Sequence, residues 1–427
     1  SKSKFVRNVA IVASGTAISQ AITMAFAPVI TRLYGPEAFG LLGVFMALVA
    51  ILTPIAALTY PIAIVLPDDD ADAKGLARLS FVISIVVAVL VAIAFLLGGE
   101  WLLGLLDSEA IASYSMLIPV SMFFAACLQI ASQWLIRKKK FSLTARVAVV
   151  QAFLLNSAKA LIGFFYPVGA VLVMLAVVGK ALHAGMLWRG IERSKMNECT
   201  ENRWDRPSKS LMVLAKTHYD FPLYRAPQVF VNAVSQSLPI LMLAGFFGPT
   251  SAGFYTLGKT VLGLPLQLIG KSVGDVFYPR ITEAAHRGES LTQLILKATL
   301  SLAVVGFFPF AIVVLFGPGL FSFVFGTEWA VAGEYARWLA LWMFFVFLNN
   351  PTVKAMPVLS QQGFHLVFSL LTILVRLSVL SIGYYVLKSD LAAISLFGIS
   401  GSLINIILIY SGYVFSKKFD NSRGYNV

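Results

Sequence analysis

Leu79 to Gly99 and Ala298 to Thr327 each run without one charged residue. About 20 apolar residues carry a helix across a hydrocarbon layer of about 30 Å, so runs of this length leave few choices of fold. Neither run alternates polar with apolar positions, as the strands of a lipid-embedded barrel must. The remainder of the chain has the same character: 58% of its 427 residues are hydrophobic, 12% are charged, and the mean hydropathy is +0.83. Soluble domains carry roughly 25% charged residues. The chain therefore reads as an all-α integral membrane protein.

Twelve transmembrane helices are expected, near 9–31, 38–66, 76–98, 112–136, 142–165, 168–190, 219–246, 251–277, 291–316, 332–356, 362–387 and 391–415. The longest polar stretch, Glu192 to Lys216, separates six spans from six. This gives an N-terminal lobe at 1–190, a central cytoplasmic loop at 191–217 and a C-terminal lobe at 218–427. No loop is long enough for a soluble domain. The apolar stretch after Lys2, Lys4 and Arg7 is of span length and has no clear small-residue cleavage site, so no cleavable signal peptide is expected. Cys127 falls in a span and Cys199 in the central loop, which argues against a disulfide.

The net charge of +13 is explained by positive-inside loops. With the N-terminus inside, 24 Lys and Arg residues fall on the cytoplasmic side, while the outer loops hold only Arg32 and Lys388. Both termini are accordingly expected in the cytoplasm. The basic residues are spread over separate short loops, which argues against a nucleic-acid partner.

One pattern occurs twice. Tyr34-Gly35-Pro36, Gly40 and Tyr60-Pro61 recur as Phe247-Gly248-Pro249, Gly253 and Tyr278-Pro279. Each aromatic-Gly-Pro turn follows one apolar stretch and opens another. The prolines recur as well: Pro28 in span 1 matches Pro239 in span 7, and Pro54 in span 2 matches Pro265 in span 8. Proline removes a helix hydrogen bond and kinks the axis. Paired interruptions in two halves point to a transport site between repeats, with these four prolines as hinge or gate candidates.

Seven basic residues remain inside predicted spans: Lys159, Lys180, Arg225, Lys259, Lys271, Arg337 and Arg376. Each costs about 2.5–3.5 kcal/mol on insertion scales, so it should face a partner or a watery cavity. Lys271 can pair with Asp275, and Arg337 with Glu334, one helical turn away. Lys159, Lys271 and Arg337 can also snorkel to an interface. Lys180, Arg225, Lys259 and Arg376 are left without obvious carboxylates. Lys180, Lys259 and Arg376 lie roughly 13–21 Å from their span starts, near mid-membrane. A cavity lined by such cations suits an anion, and arginine's planar fork suits phosphate. These four are the candidate substrate-binding residues.

Gln228, Asn232 and Gln236 recur every four residues, forming a stripe with Arg225, and span 1 contributes Gln20 with several hydroxyls. The amides can line a polar cavity and bind sugar hydroxyls, or they can join helix to helix. Both readings are open at this point. Trp101, Trp134, Trp188 and Trp329 fall near span ends, as an interfacial belt requires.

Arg32-Leu33-Tyr34-Gly35-Pro36-Glu37-Ala38-Phe39-Gly40, after a first span rich in Ser, Thr and Gln, resembles the R-x-x-G-P-x-x-[YF]-G start of polysaccharide flippases. These are the Wzx-type O-antigen transporters of the multidrug/oligosaccharidyl-lipid/polysaccharide (MOP) exporter superfamily. The resemblance implies a MATE-like fold of two six-helix lobes around a cationic cavity, in the bacterial cytoplasmic (inner) membrane. It implies alternating-access translocation of an undecaprenyl-pyrophosphate-linked oligosaccharide from the cytoplasmic to the periplasmic leaflet, for lipopolysaccharide or other polysaccharide biosynthesis. Membrane lipids and the polysaccharide polymerase machinery are the implied partners. No cofactor is expected; coupling to an H+ or Na+ gradient is left open. The family has no universal residue motif for the headgroup, so the choice of cations rests on depth.

Rival readings make different demands on the sequence. A drug/cation antiporter of the same superfamily should place carboxylates in its cavity, and spans 1 and 2 have none except at the cytoplasmic end. A lipid II flippase typically has two further spans. A membrane polymerase or ligase usually has a large outer loop. Asp68-Asp69-Asp70 with Asp72 is an acidic run that an enzyme can use for metal, but a helix start before span 3 accounts for it. No metal spacing, phosphate-binding glycine loop or nucleophile–base set points to an enzyme.

Overall fold

The computed structural model describes residues 2–104, 112–197 and 210–422; the side chains of 2–10, 99–104, 194–197, 265, 267–276, 279, 362 and 366 lie outside the description. All regular structure among the described residues is helical. In chain order it comprises α1 (Lys2–Ala56), α2 (Tyr60–Ala63), α3 (Asp70–Gly104), α4 (Leu117–Arg137), α5 (Phe141–Phe165), α6 (Gly169–Asn197) and α7 (Leu211–Thr217). A π-helical turn (Phe221–Arg225) leads into α8 (Ala226–Phe247), followed by α9 (Pro249–Arg287) and α10 (Leu291–Phe325). A 3-10 turn (Thr327–Trp329), α11 (Ala330–Ala355), α12 (Gln362–Tyr385) and α13 (Asp390–Ser422) complete it. Ten helices among the described residues are long and apolar enough to cross a membrane. Phe164, Phe323 and Leu97 are 74%, 81% and 85% exposed, which only a lipid solvent makes cheap. The protein is a multi-pass integral membrane protein.

Two compact units divide the chain at 252/253. In the first, α1 packs against α5 and also against α8, so span 7 is grouped with the first six spans. Contact grouping reports packing, whereas the sequence repeat reports chain order, and the two need not coincide.

The aromatic-Gly-Pro turns have one backbone geometry. Gly35 has φ 61, ψ 172, and Gly248 has φ 89, ψ 174. This region is essentially closed to residues with a Cβ. Proline follows each glycine, and it tolerates the first turn of a helix, where its missing N–H has no partner to lose. Pro28 and Pro54 lie within helical backbone; the interior residue of α1 that leaves helical geometry is Gly35. A Cβ at Gly248 would meet nothing within 4 Å, so alanine there tests the backbone alone. Gly248→Ala should cost about 1–3 kcal/mol. Heat denaturation in detergent checks this; an unchanged Tm would remove the turn from the account.

The two Tyr-Pro ends differ. α1 stops at Ala56, short of the expected end at 66, because Leu58 and Thr59 take positive φ (48 and 56). The turn is held from outside its own segment: Thr59 Oγ1 donates to the Phe221 carbonyl (3.1 Å) and Tyr60 Oη to that of Ala215 (3.2 Å). In the second copy the helix runs on to Arg287, and Tyr278 is 45% exposed.

Below that turn, Tyr60, Ile64, Leu76, Ile130, Trp134 and Leu187 form one buried cluster. Beside it Arg137 closes the loop before α3. Its Nε bonds Asp70 Oδ1 (3.0 Å), and its Nη groups donate to the carbonyls of Pro67 (2.5 Å) and Asp68 (3.1 Å). Lys138 also pairs with Asp70, which opens α3 as an acidic first-turn residue. The interfacial reading of the tryptophans is corrected in part. Trp134 is 8% and Trp329 1% exposed, so both are packed inside protein, Trp329 against Phe254. Trp188 is partly exposed, and Trp101 lies outside the described side chains.

In the second unit, α10 and α11 touch through glycine: a Cβ on Gly317 would stand 2.5 Å from the Gly333 carbonyl oxygen. At the other end of α10, Asp420 is 1% exposed. It accepts hydrogen bonds from Ser290 Oγ (2.8 Å) and from the backbone N–H groups of Leu291 and Thr292 (3.0 Å each). The end of α13 thus supplies partners for the orphan donors that begin α10.

Candidate functional site

In the second unit, Lys259 and Arg376 belong to one cluster of aromatic side chains. Lys259 Nζ lies 5.7 Å from the ring centre of Tyr255, one turn earlier on α9. The Arg376 guanidinium carbon, on α12, lies 5.5 Å from the Trp342 ring on α11 and 5.7 Å from the Phe397 ring on α13. Both distances are within the range where a ring face attracts a cation. The rings brace one another edge to face: Trp342 and Phe397 at 5.0 Å, Tyr255 and Phe397 at 6.5 Å. Lys259 and Arg376 are close enough for their charges to interact.

Small residues permit this packing. A Cβ on Gly401 would fall 2.6 Å from Trp342 Cδ1, and one on Gly398 would fall 2.6 Å from the Trp338 carbonyl oxygen. Glycine at these two positions of α13 lets α11 approach and lays the Trp342 ring beside Arg376. The residues that cradle the cations, Tyr255, Trp342 and Phe397, were missed in the sequence reading. Tyr255 carried a usable signal, since it lies four positions before Lys259 on a helix. Trp342 and Phe397 carried none, because their proximity is tertiary and phenylalanine is abundant in this chain.

The first unit holds the other candidates at separate places. Arg225 ends the π-helical turn that Thr59 anchors, and its Nη1 donates to Gln228 Oε1 (3.3 Å). Arg225, Gln228, Asn232 and Gln236 are all exposed along one side of α8. Lys180 Nζ instead bonds Ser121 Oγ (3.1 Å), a fully buried hydroxyl on α4. Gln20 is half-buried. The hydroxyls of Ser14, Thr16, Ser19 and Thr23 donate to carbonyls three or four residues earlier, so they serve their own helix. Pro54 and Pro239 are buried and Pro28 is half-buried, while the Pro265 side chain lies outside the described residues. Glu334 and Arg337 do pair (3.2 Å); Lys271 and Asp275 lie outside the described side chains.

Comparison with solved structures gives the fold class. The chain matches the inward-facing conformation of a multidrug resistance MATE family transporter of the MOP superfamily at TM-score 0.74 and 12% identity, covering 94% of this chain and 96% of that one. It matches lipid II flippase MurJ in an inward closed conformation at TM-score 0.72 and 11% identity, covering 96% and 90%. A MOP superfamily transporter from Pyrococcus furiosus, described as having a binding pocket of reversed polarity, matches at TM-score 0.60 and 13% identity over 96% of each chain. The fold is that of the MOP superfamily transporters. A family model for polysaccharide biosynthesis proteins matches residues 29–334, and the chain belongs to that family. The amylovoran biosynthesis protein AmsL of Erwinia amylovora is 21% identical over 201 residues, 47% of this chain. The chain's match spans about half the length (49%) of that curated relative.

Proposed function

We propose that the protein is a flippase that moves a polyprenyl-diphosphate-linked oligosaccharide, an O-antigen or other polysaccharide repeat unit, from the cytoplasmic to the periplasmic leaflet of a bacterial inner membrane. The observation that carries this reading is the pair of cations, Lys259 and Arg376, held over aromatic rings near mid-span. An aromatic face stabilises a cation in a low-dielectric setting, and positive charge concentrated there suits an anionic headgroup. Membership in a polysaccharide biosynthesis family supplies the glycan that headgroup would carry. Arg225 with the Gln228–Asn232–Gln236 stripe, in the first unit, is a second polar surface that suits sugar hydroxyls, whereas Lys180 is taken up by Ser121.

We count twelve crossings. Ile11–Ala56 is 46 residues long, more than twice what one crossing needs, and Gly35 breaks it into two. α9 adds the span missing from the other nine helices. Both termini then lie in the cytoplasm, where the Lys and Arg excess belongs. Transport proceeds by alternating access, with the proline-bearing helices as the moving parts.

The test is translocation in proteoliposomes. A labelled polyprenyl-diphosphate oligosaccharide should become accessible to an external glycan-cleaving enzyme only when the protein is present. Efflux of a cationic dye with no glycan translocation would move the protein to the drug-antiporter class.

A further inference from the structure

Tyr255 is 1% exposed, and its hydroxyl has no hydrogen-bond partner among the described residues. Leaving a buried hydroxyl unsatisfied costs about 1–3 kcal/mol, and phenylalanine in the same space would avoid that cost. Packing alone therefore does not account for tyrosine here. The ring already performs the packing role: it lies beneath Lys259 Nζ and edge-on to Phe397. The hydroxyl is the part left over, and it stands within electrostatic reach of the Arg376 guanidinium.

A neutral donor in the same cluster as two cations has an evident complement. Lysine offers a point charge with three donors, arginine a planar fork, and a phenol one directed O–H. A multi-oxygen anion accepts from all three at once. We propose that the Tyr255 hydroxyl is a third donor to the anionic headgroup bound by Lys259 and Arg376, and that it favours a diphosphate, whose many oxygens can use every donor. This deepens the proposed function and rests on it. The hydroxyl then finds its partner in the substrate, and its burial cost is recovered during the transport cycle.

The proposal fixes the sign of two effects in one variant. Tyr255→Phe keeps the ring, hence the Lys259 and Phe397 contacts, and removes the unsatisfied group. It should be at least as heat-stable as wild type yet bind diphosphate about five- to tenfold more weakly. The experiment uses the full chain in detergent with farnesyl diphosphate as probe, comparing wild type, Tyr255→Phe and Arg376→Ala by binding titration and thermal denaturation. Weaker binding by Tyr255→Phe with an unchanged or raised Tm supports the assignment. Binding equal to wild type, while Arg376→Ala is weakened, overturns the Tyr255 role and leaves the cationic site standing. A lowered Tm in Tyr255→Phe also overturns it, because the hydroxyl would then have a structural partner. Equal binding by wild type and Arg376→Ala contradicts the proposed function itself, and the tyrosine assignment falls with it.

Discussion

Arg376→Ala is expected to lower translocation of a diphosphate-linked glycan at least tenfold while the protein remains folded. The guanidinium carbon lies 5.5 Å from the Trp342 ring and 5.7 Å from the Phe397 ring, which limit where it can move. Hydrogen bonds to charged groups are worth about 1.5–3 kcal/mol, or roughly 10- to 150-fold in an equilibrium. Arg376→Lys keeps the charge but loses the planar fork, so it should recover only part of the rate. Initial translocation rates in proteoliposomes, normalised to protein that elutes as a single species, decide the matter. An alanine variant that transports like wild type would detach the cluster from transport.

Asp420→Ala should produce the largest loss of stability, about 3 kcal/mol or more. The carboxylate is buried and accepts three hydrogen bonds at the start of α10. Removing it leaves two backbone N–H groups at a buried helix end without acceptors, each costing about 1–3 kcal/mol. The Asp420→Asn variant retains one acceptor oxygen and should lie between alanine and wild type. Diphosphate binding by protein that still folds should be unchanged, since Asp420 belongs to the α10–α13 junction and not to the cation cluster. Thermal denaturation checks the stability; a Tm for Asp420→Ala that matches wild type would contradict the capping role.

Local signals made much of this architecture legible. Uncharged runs of span length, such as Leu79 to Gly99, announce their helices directly, because lipid forces each backbone group to be satisfied within its own segment. Gly35 and Gly248 announced their turns for an equally local reason: only glycine reaches their backbone geometry. The Glu334–Arg337 pair followed from helical spacing alone.

What stayed hidden depends on residues distant in the chain. The early end of α1 is set by hydrogen bonds from Thr59 and Tyr60 to Phe221 and Ala215, more than 150 positions away. Trp329 sits at a span end, like an interfacial anchor, but it packs against Phe254, itself braced by Tyr335, and keeps almost no exposed surface. At the candidate site, depth in the span singled out Lys259 and Arg376, but nothing local joined them. Their meeting requires four helices and the two glycines of α13 that admit Trp342. Lys180 shows the opposite outcome, since a mid-span cation found a hydroxyl partner on the neighbouring helix.

The most direct test of the central claim is the affinity of the purified full chain for a polyprenyl-diphosphate-linked oligosaccharide, set against the same glycan on an uncharged polyprenyl chain. A site built from Lys259 and Arg376 should prefer the diphosphate form at least tenfold, and Arg376→Ala should abolish most of that preference. Equal affinity for the charged and uncharged forms would contradict an anion-binding site in this cluster.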